Sequence, residues 1–339
     1  MSLVLIIEDL KKAFGNDIDD TQITEISVNK PFEYFVALNG KKDMIKRENP
    51  DLTYSLLKRL AGAVATLTDQ TISEAKPLLS AQIESPTYKG VYFRIQFVHD
   101  PAVKNGSIAL SLRKPNILSL PYSAYKDVLN SVEPFAKITK QDQMLFDLYE
   151  ARNFHEFIKQ AVLCEKNIII SAGTGSGKTT FFNSIIKDCI PIGERLITIE
   201  DAVELRPPHE NCLQLYYSRG GQGKAKVDAH SLMEACLRLY PKRILLGEIR
   251  GIEAFTYLNL ISSGHGGSIA TLHANDPLNA IDRLTLMVLS AGTTLTSDQV
   301  KSFVLESVDI IIQLARTETG GYGCSSIYFK DYEDFKNEK

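Results

Sequence analysis

The chain of 339 residues has no tryptophan and only five cysteines, Cys164, Cys189, Cys212, Cys236 and Cys324. Their odd number, wide spacing and lack of a C-x-x-C pair exclude a disulfide framework and a zinc cage. They read as small buried thiols of a reducing compartment. No apolar run approaches the roughly 18 residues of a membrane-spanning helix. The longest near the N-terminus, Leu3-Val4-Leu5-Ile6-Ile7, meets Glu8 and Asp9 at once and lacks the basic leader of a signal peptide, so a cytoplasmic protein is expected. Neither sign of charge dominates, since 38 Lys+Arg against 41 Asp+Glu leave a net charge of −3. That gives no global reason to expect a nucleic-acid binder, and no direct sequence-specific contact with nucleic acid is expected. Internal repeats and low-complexity segments are also missing.

What is present resembles an ordinary globular chain, with 44% hydrophobic and 23% charged residues. At about 150 residues per domain, the length suits two domains. Residues 1–114 read as an α+β domain. Ile23–Val28 and Tyr34–Leu38 alternate as strands around a turn at Asn29-Lys30-Pro31, and Asn39-Gly40 is a hairpin signal. From Leu52 to Leu67 the apolar spacing changes to three and four, which predicts a helix, and strand-like runs return at Val91–Val98 and Ile108–Arg113. Residues 115–140, with Pro115, Pro121 and Pro134, form a linker. In 141–339 the pattern changes in kind. Helical spacing runs through Met144–Tyr149 and Phe154–Val162, and β-rich runs follow at Ile168–Ser171, Leu196–Glu200, Ile244–Gly247 and Ser268–Leu272. Helix-length segments between the first three of these runs point to crossover units and a mostly parallel sheet. Asp309–Ala315 and Ser325–Phe329, around Gly320-Gly321, look like a closing hairpin.

The chemistry is concentrated in the second half. Ala172-Gly173-Thr174-Gly175-Ser176-Gly177-Lys178-Thr179-Thr180 follows an apolar run and matches the phosphate-loop pattern G-x-x-x-x-G-K-S/T, except that alanine holds the first glycine position. Glycines let backbone N–H groups curl around an anion without a Cβ in the way. Lys178 can bridge the β- and γ-phosphates, the Thr179 hydroxyl suits Mg²⁺, and the helix that follows presents its positive end. Arg243-Ile244-Leu245-Leu246-Gly247-Glu248 ends an apolar strand in a carboxylate 70 residues after Lys178, the second acidic position that phosphate-loop ATPases place near metal and water. Ile199-Glu200-Asp201-Ala202-Val203-Glu204 ends another, where carboxylates can orient water or extend the shell of the metal. His265 and His273 lie on either side of a strand-like run, and their separation of eight is not that of a helical metal pair.

Taken in order, Gly-Thr-Gly-Ser-Gly-Lys-Thr-Thr, Ile-Glu-Asp, Leu-Gly-Glu-Ile-Arg and Gly-His-Gly-Gly-Ser…Thr-Leu-His-Ala-Asn-Asp-Pro resemble the secretion-ATPase superfamily. The nearest likeness within it is to the hexameric traffic ATPases of bacterial type IV secretion systems. The motifs run from 171 to about 284. The resemblance implies a RecA-like C-terminal ATPase domain, a homohexameric ring with nucleotide between its two domains, ATP and Mg²⁺ as ligands, and inner-membrane secretion components as partners. By matching position it implies that Lys178 and Thr179 form the Walker A pair. Glu248 is then the Walker B acid, with Arg250 beside it; Glu200, Asp201 and Glu204 form an acidic box, and His265 and His273 a histidine box. Residues 173–180 would bind the nucleotide, Thr179, Glu248 and Glu200 the metal. Arg94 and Arg113 match N-terminal arginines that reach the γ-phosphate. Which of Glu204, Glu200 and Glu248 orients water stays open. The missing four-cysteine insert sets type II secretion and pilus-assembly motors apart, and a pilus-retraction motor is the alternative. The apolar N-terminus, followed by Asp9, Lys11 and Lys12, suits a peripheral contact at the inner face of the membrane or an edge element of the N-terminal domain. The proline-containing linker is long enough for one subunit's N-terminal domain to cover its neighbour's nucleotide, and this swapped arrangement is the one expected.

Overall fold

A computed structural model describes residues 3–85, 87–115, 120–132, 138–219, 223–317 and 320–337. In the N-terminal half, α1 (Leu3–Phe14) precedes a meander of β1 (Ile23–Lys30), β2 (Glu33–Leu38) and β3 (Ile45–Glu48). The chain continues through α2 (Tyr54–Leu67), β4 (Leu78–Glu84), β5 (Tyr92–His99) and β6 (Ile108–Arg113). The six strands form one antiparallel sheet in the order β3-β2-β1-β6-β5-β4. Alternation decides its two faces. Ile26, Val28, Ile95, Phe97, Leu110 and Leu112 pack with Leu10 and Phe14 of α1 and Leu57, Leu60 and Val64 of α2. The opposite face carries Glu25, Ser27, Gln96 and Ser111, all buried, and its Val98 and Ala109 join the core of the C-terminal half.

A short exposed helix, α3 (Lys126–Asn130), lies between the halves; Pro134 falls outside the described residues. The C-terminal half begins with α4 (Lys140–Glu150), whose capping box pairs Thr139 with Asp142, and α5 (Phe154–Leu163). Next come β7 (Ile168–Ala172), α6 (Lys178–Asp188), β8 (Leu196–Glu200), β9 (Cys212–Tyr216), α7 (Ala229–Cys236) and β10 (Arg243–Ile249). The half closes with α8 (Glu253–Ser262), β11 (Ile269–Leu272), α9 (Pro277–Ser290), α10 (Ser297–Ser307), β12 (Ile310–Arg316), β13 (Tyr322–Phe329) and α11 (Lys330–Asn337). The sheet order is β13-β12-β7-β11-β10-β8-β9. Every pair from β12 to β9 is parallel and β13 alone is antiparallel. Helices on both faces bury it in two cores, the arrangement a parallel sheet needs.

The halves touch through a buried polar joint. At the start of β8 the Arg195 guanidinium donates to Asn29 Oδ1 at 2.9 Å, to Asn211 Oδ1 at 2.5 Å and to the Leu239 carbonyl at 3.0 Å. At the other end of β9, the Tyr216 N–H donates to the Ala102 carbonyl at 2.8 Å.

Edge strands β3, β4 and β9 lie outside the sequence expectation, as do α3, which falls in the expected linker, and helices α8 to α11. β3 is mostly exposed, β4 fully buries only Leu79 and Ile83, and β9 alternates over only five residues with Leu213 and Leu215 buried, so none buries more than two apolar side chains. The N-terminal apolar run is the first turns of α1, which bury Ile6 and leave Val4 and Leu5 exposed. The expectation of five buried thiols is corrected: only Cys236 is fully buried, Cys164, Cys189 and Cys212 are half-buried, and Cys324 is exposed because β13 is an outer strand. No described helix is long and apolar enough to cross a membrane.

Candidate active site

Parallel strands all end on one edge of the sheet, so motifs far apart in sequence converge there. β7 is buried along its whole length and delivers the phosphate loop, residues 173–177, to the N-terminus of α6. Gly175 and Gly177 have φ of 68° and 83°, a region in which a side chain is strained. Ala172 is still in the strand and fully buried, so its methyl group fits where the pattern has glycine. The Ser176 hydroxyl donates to the Gly173 carbonyl at 2.6 Å and closes the loop on itself.

The charged groups around the loop form two connected chains. In one, Lys178 Nζ lies 3.1 Å from the Ala172 carbonyl and 2.8 Å from His273 Nδ1. His273 Nε2 is 3.4 Å from Glu248 Oε1, Glu248 Oε2 is 2.6 Å from Arg250 Nη2, and Arg250 Nη1 reaches Asp201 Oδ2 at 2.7 Å. Arg219 meets the same Asp201 oxygen at 3.0 Å. In the other, the Thr179 hydroxyl donates to Glu204 Oε2 at 2.8 Å. The Glu204 carbonyl accepts from Asn183 Nδ2 at 3.0 Å, and Asn183 Oδ1 accepts from the Arg206 N–H at 2.7 Å. Lys178, Arg250 and the hydroxyls of Ser176 and Thr179 are therefore each engaged by a protein acceptor.

Glu200 plays another part. Its Oε1 accepts from the N–H groups of Glu204 and Leu205 at 2.9 and 2.8 Å, and Oε2 accepts from the Thr198 hydroxyl at 3.3 Å. It shapes the turn that presents Glu204. Burial pushes its carboxyl above the ordinary range, against those three donors. Burial also opposes ionisation of Glu248, but the hydrogen bond and charge of Arg250, with His273 and Lys178 behind it, outweigh that and hold the carboxyl below its ordinary value. Lys178 is depressed chiefly by burial, with Arg250 adding to the effect and Glu248 and Glu204 opposing it.

The cleft lined by Lys178, Thr179, Glu200, Glu204, Glu248 and Arg250 includes no residue of the N-terminal sheet. Arg94 and Arg113 stand directly opposite one another on β5 and β6, both exposed, in register with Gln96–Ser111 and Val98–Ala109. They therefore lie on the sheet face turned towards the C-terminal half. His265 is also remote from the loop, at the start of the turn into β11 and hydrogen-bonded to the Pro241 carbonyl, with burial depressing its pKa. Sequence reading missed Arg219, Asn183, Arg316 and Tyr322, which belong to no phosphate-loop pattern. Arg316 Nε donates to the Gly175 carbonyl at 3.0 Å, and the Tyr322 ring lies where a Cβ on Gly177 would come within 3.2 Å of it.

Comparison with known proteins agrees with this fold. The family model described as Type II/IV secretion system protein matches residues 127–325. The type IV secretion system protein VirB11 of Bartonella henselae is 36% identical over 335 residues, covering 94% of this chain and 90% of its own. That of Brucella suis is 37% identical over 314 residues, covering 90% of this chain and 84% of its own. The crystal structure of the VirB11 ATPase from the Brucella suis type IV secretion system in complex with sulphate matches with a TM-score of 0.87 at 33% identity, covering 98% of this chain and all of that one. The relatives decide for type IV secretion over pilus retraction, and with it for an ATP-binding ATPase acting among secretion-system components. The chain belongs to the Type II/IV secretion system protein family, alongside the VirB11 ATPases of bacterial type IV secretion.

Proposed function

We propose that the chain hydrolyses ATP to ADP and phosphate with Mg²⁺, as one subunit of a homohexameric motor at the inner face of the inner membrane. The observation that carries the reading is the pair of chains at the loop mouth, Lys178–His273–Glu248–Arg250–Asp201 and Thr179–Glu204. They set cations, a hydroxyl and carboxylates around the position of a terminal phosphate. Thr179, Glu204 and Glu248 offer the hard oxygen donors that Mg²⁺ prefers. Among the described residues no group of three or more His, Cys, Asp or Glu could hold a metal alone, which suits an ion that takes its remaining ligands from phosphate and water. Bound there, Mg²⁺ would neutralise phosphate charge. Lys178 would turn from the Ala172 carbonyl to the phosphates, and the backbone N–H groups of 173–180 would wrap them. Glu204 or Glu248 would accept a hydrogen bond from the attacking water. Catalysis is then positioning and charge stabilisation.

Residues 1–114, 115–140 and 141–339 act as covering domain, linker and motor. Two arginines directly opposite in a ladder repel each other, so Arg94 and Arg113 suit an anion between them. Since they are outside the cleft of their own chain, a neighbouring subunit supplies them. Phosphate release measured with and without Mg²⁺, beside a mass measurement with ATP, tests the reading. Metal-dependent turnover by a particle of six chains is expected; turnover by a monomer, or none, overturns it.

A further inference from the structure

The hairpin of β12 and β13 is far from the phosphate loop in sequence and touches it twice. Arg316 and Tyr322 are cross-strand partners in that hairpin. Arg316 grips the Gly175 carbonyl, and the Tyr322 ring covers the Cα of Gly177, with Cγ and Cδ1 both 3.2 Å from the site of a Cβ. Tyr322 is 68% exposed, which leaves room for a ligand against its ring.

Sheet order says what that is. β7 lies between β11 and β12. His273, Glu248 and Glu204 follow β11, β10 and β8, all on one flank of the loop, and engage Lys178 and Thr179 from there. A terminal phosphate faces that flank. The other end of a nucleotide, with its ribose and base, must leave the loop on the opposite flank, where the hairpin stands.

We propose that Tyr322 is the shelf on which the purine ring of the nucleotide stacks, with Arg316 tying that shelf to the apex of the phosphate loop. The inference rests on nucleotide occupying the loop and adds the base-recognising group. Gly177 is then glycine for two reasons: its φ of 83° and the ring 3.2 Å from where a Cβ would stand.

ADP and inorganic pyrophosphate separate base from phosphate, since they share the diphosphate and neither needs hydrolysis to be measured. Calorimetric titration of the full-length protein with each, in the presence of Mg²⁺, is compared for wild type, Tyr322→Ala, Tyr322→Phe and Lys178→Ala. Loss of stacking on Tyr322→Ala should weaken ADP about tenfold and leave pyrophosphate within about twofold, while Tyr322→Phe keeps the affinity for ADP. Unchanged ADP binding in Tyr322→Ala overturns the shelf. So does an equal loss of both ligands, which would make the ring a prop for the loop, or an equal loss of ADP in Tyr322→Phe, which would assign the effect to the hydroxyl. Lys178→Ala should weaken both ligands. If it weakens neither, the phosphate loop is not the nucleotide site, and the shelf falls with that reading.

Discussion

Each half of the molecule places a carboxylate among arginines, and the two are displaced from the ordinary carboxylate range in opposite directions. Glu248 in the C-terminal half has Arg250 at 2.6 Å and stays ionised, its pKa below the ordinary value despite partial burial. Glu25 in the N-terminal sheet is 1% exposed, and its direct partner is a neutral hydroxyl, Ser111, at 2.5 Å. Arg195 and Arg113 act on it only through charge, and burial pushes its carboxyl up to about 7. A contacting guanidinium reverses the desolvation cost, whereas a guanidinium acting at a distance only reduces it. The C-terminal half therefore keeps a permanent anion next to where phosphate and metal bind. The N-terminal half keeps a carboxyl that sheds its proton near neutral pH, and two arginines that no carboxylate neutralises by contact among the ion pairs described.

The sharpest way to test this division is to remove the cation of the loop. Lys178→Ala should abolish ATP hydrolysis in a phosphate-release assay, because Arg250 is tied to Glu248 and Asp201 and Arg316 to the Gly175 carbonyl, which leaves Lys178 as the cation within the phosphate-loop motif that turns to the phosphates. The fold should survive: the ammonium meets one carbonyl and one histidine, and its loss takes nothing from the cores. Loss of the cooperative melt would show that the lysine is structural.

Next in size is the arginine of the other half. Arg113→Ala should lower turnover on the order of 10³-fold, as removal of an arginine from a phosphoryl-transfer site does, with little change in melting. Lys178→Ala and Arg113→Ala subunits, each inactive alone, should partly restore activity when mixed, because some interfaces then join an intact Lys178 to an intact Arg113. No recovery at any ratio, with exchange into mixed rings confirmed by mass, would place both residues in one chain's site.

These two experiments differ in how far sequence anticipates them. The loop, Glu248 and His273 are legible because each is a chemical residue at the end of an apolar β run, and parallel strands bring such ends together; Arg250 is singled out by family resemblance. Arg94 and Arg113 carry no such signal; only resemblance to a family singles them out, and their placement depends on a linker that local pattern cannot position. Glu200 is legible as a carboxylate but not as a turn-former, since that depends on which way the chain bends after β8. Tyr322 was invisible for a related reason. It sits in an outer strand with weak alternation, and its contact with Gly177 exists only once β12 lies beside β7. Strands β3, β4 and β9 escape notice because an edge strand buries few side chains.

A smaller effect is expected from Arg250→Ala. Without the guanidinium, burial dominates at Glu248 and its pKa rises. The acid-side inflection of kcat/KM should then move to higher pH, with activity near the plateau reduced about tenfold. An inflection that stays in place while activity falls would mean that Arg250 acts through Asp201 or the nucleotide and not by holding Glu248 ionised.

The smallest change concerns Glu25, and its sign follows from the comparison. The folded-state pKa is about 7, raised from 4.5, so folding favours the protonated carboxyl. Stability from that source is complete below pH 4.5 and is lost as pH rises through about 7. Glu25→Gln keeps an acceptor for the Ser111 hydroxyl and cannot ionise. Its melting temperature should match wild type at acid pH and exceed it above neutrality by a few degrees, a difference of about 1–3 kcal/mol at most. The opposite trend, with the variant losing ground as pH rises, would mean that Arg195 and Arg113 hold Glu25 as an anion. The N-terminal sheet would then contain the same contact-like ion pairing as the active site, and the distinction between the halves would fail at the residue that defines it.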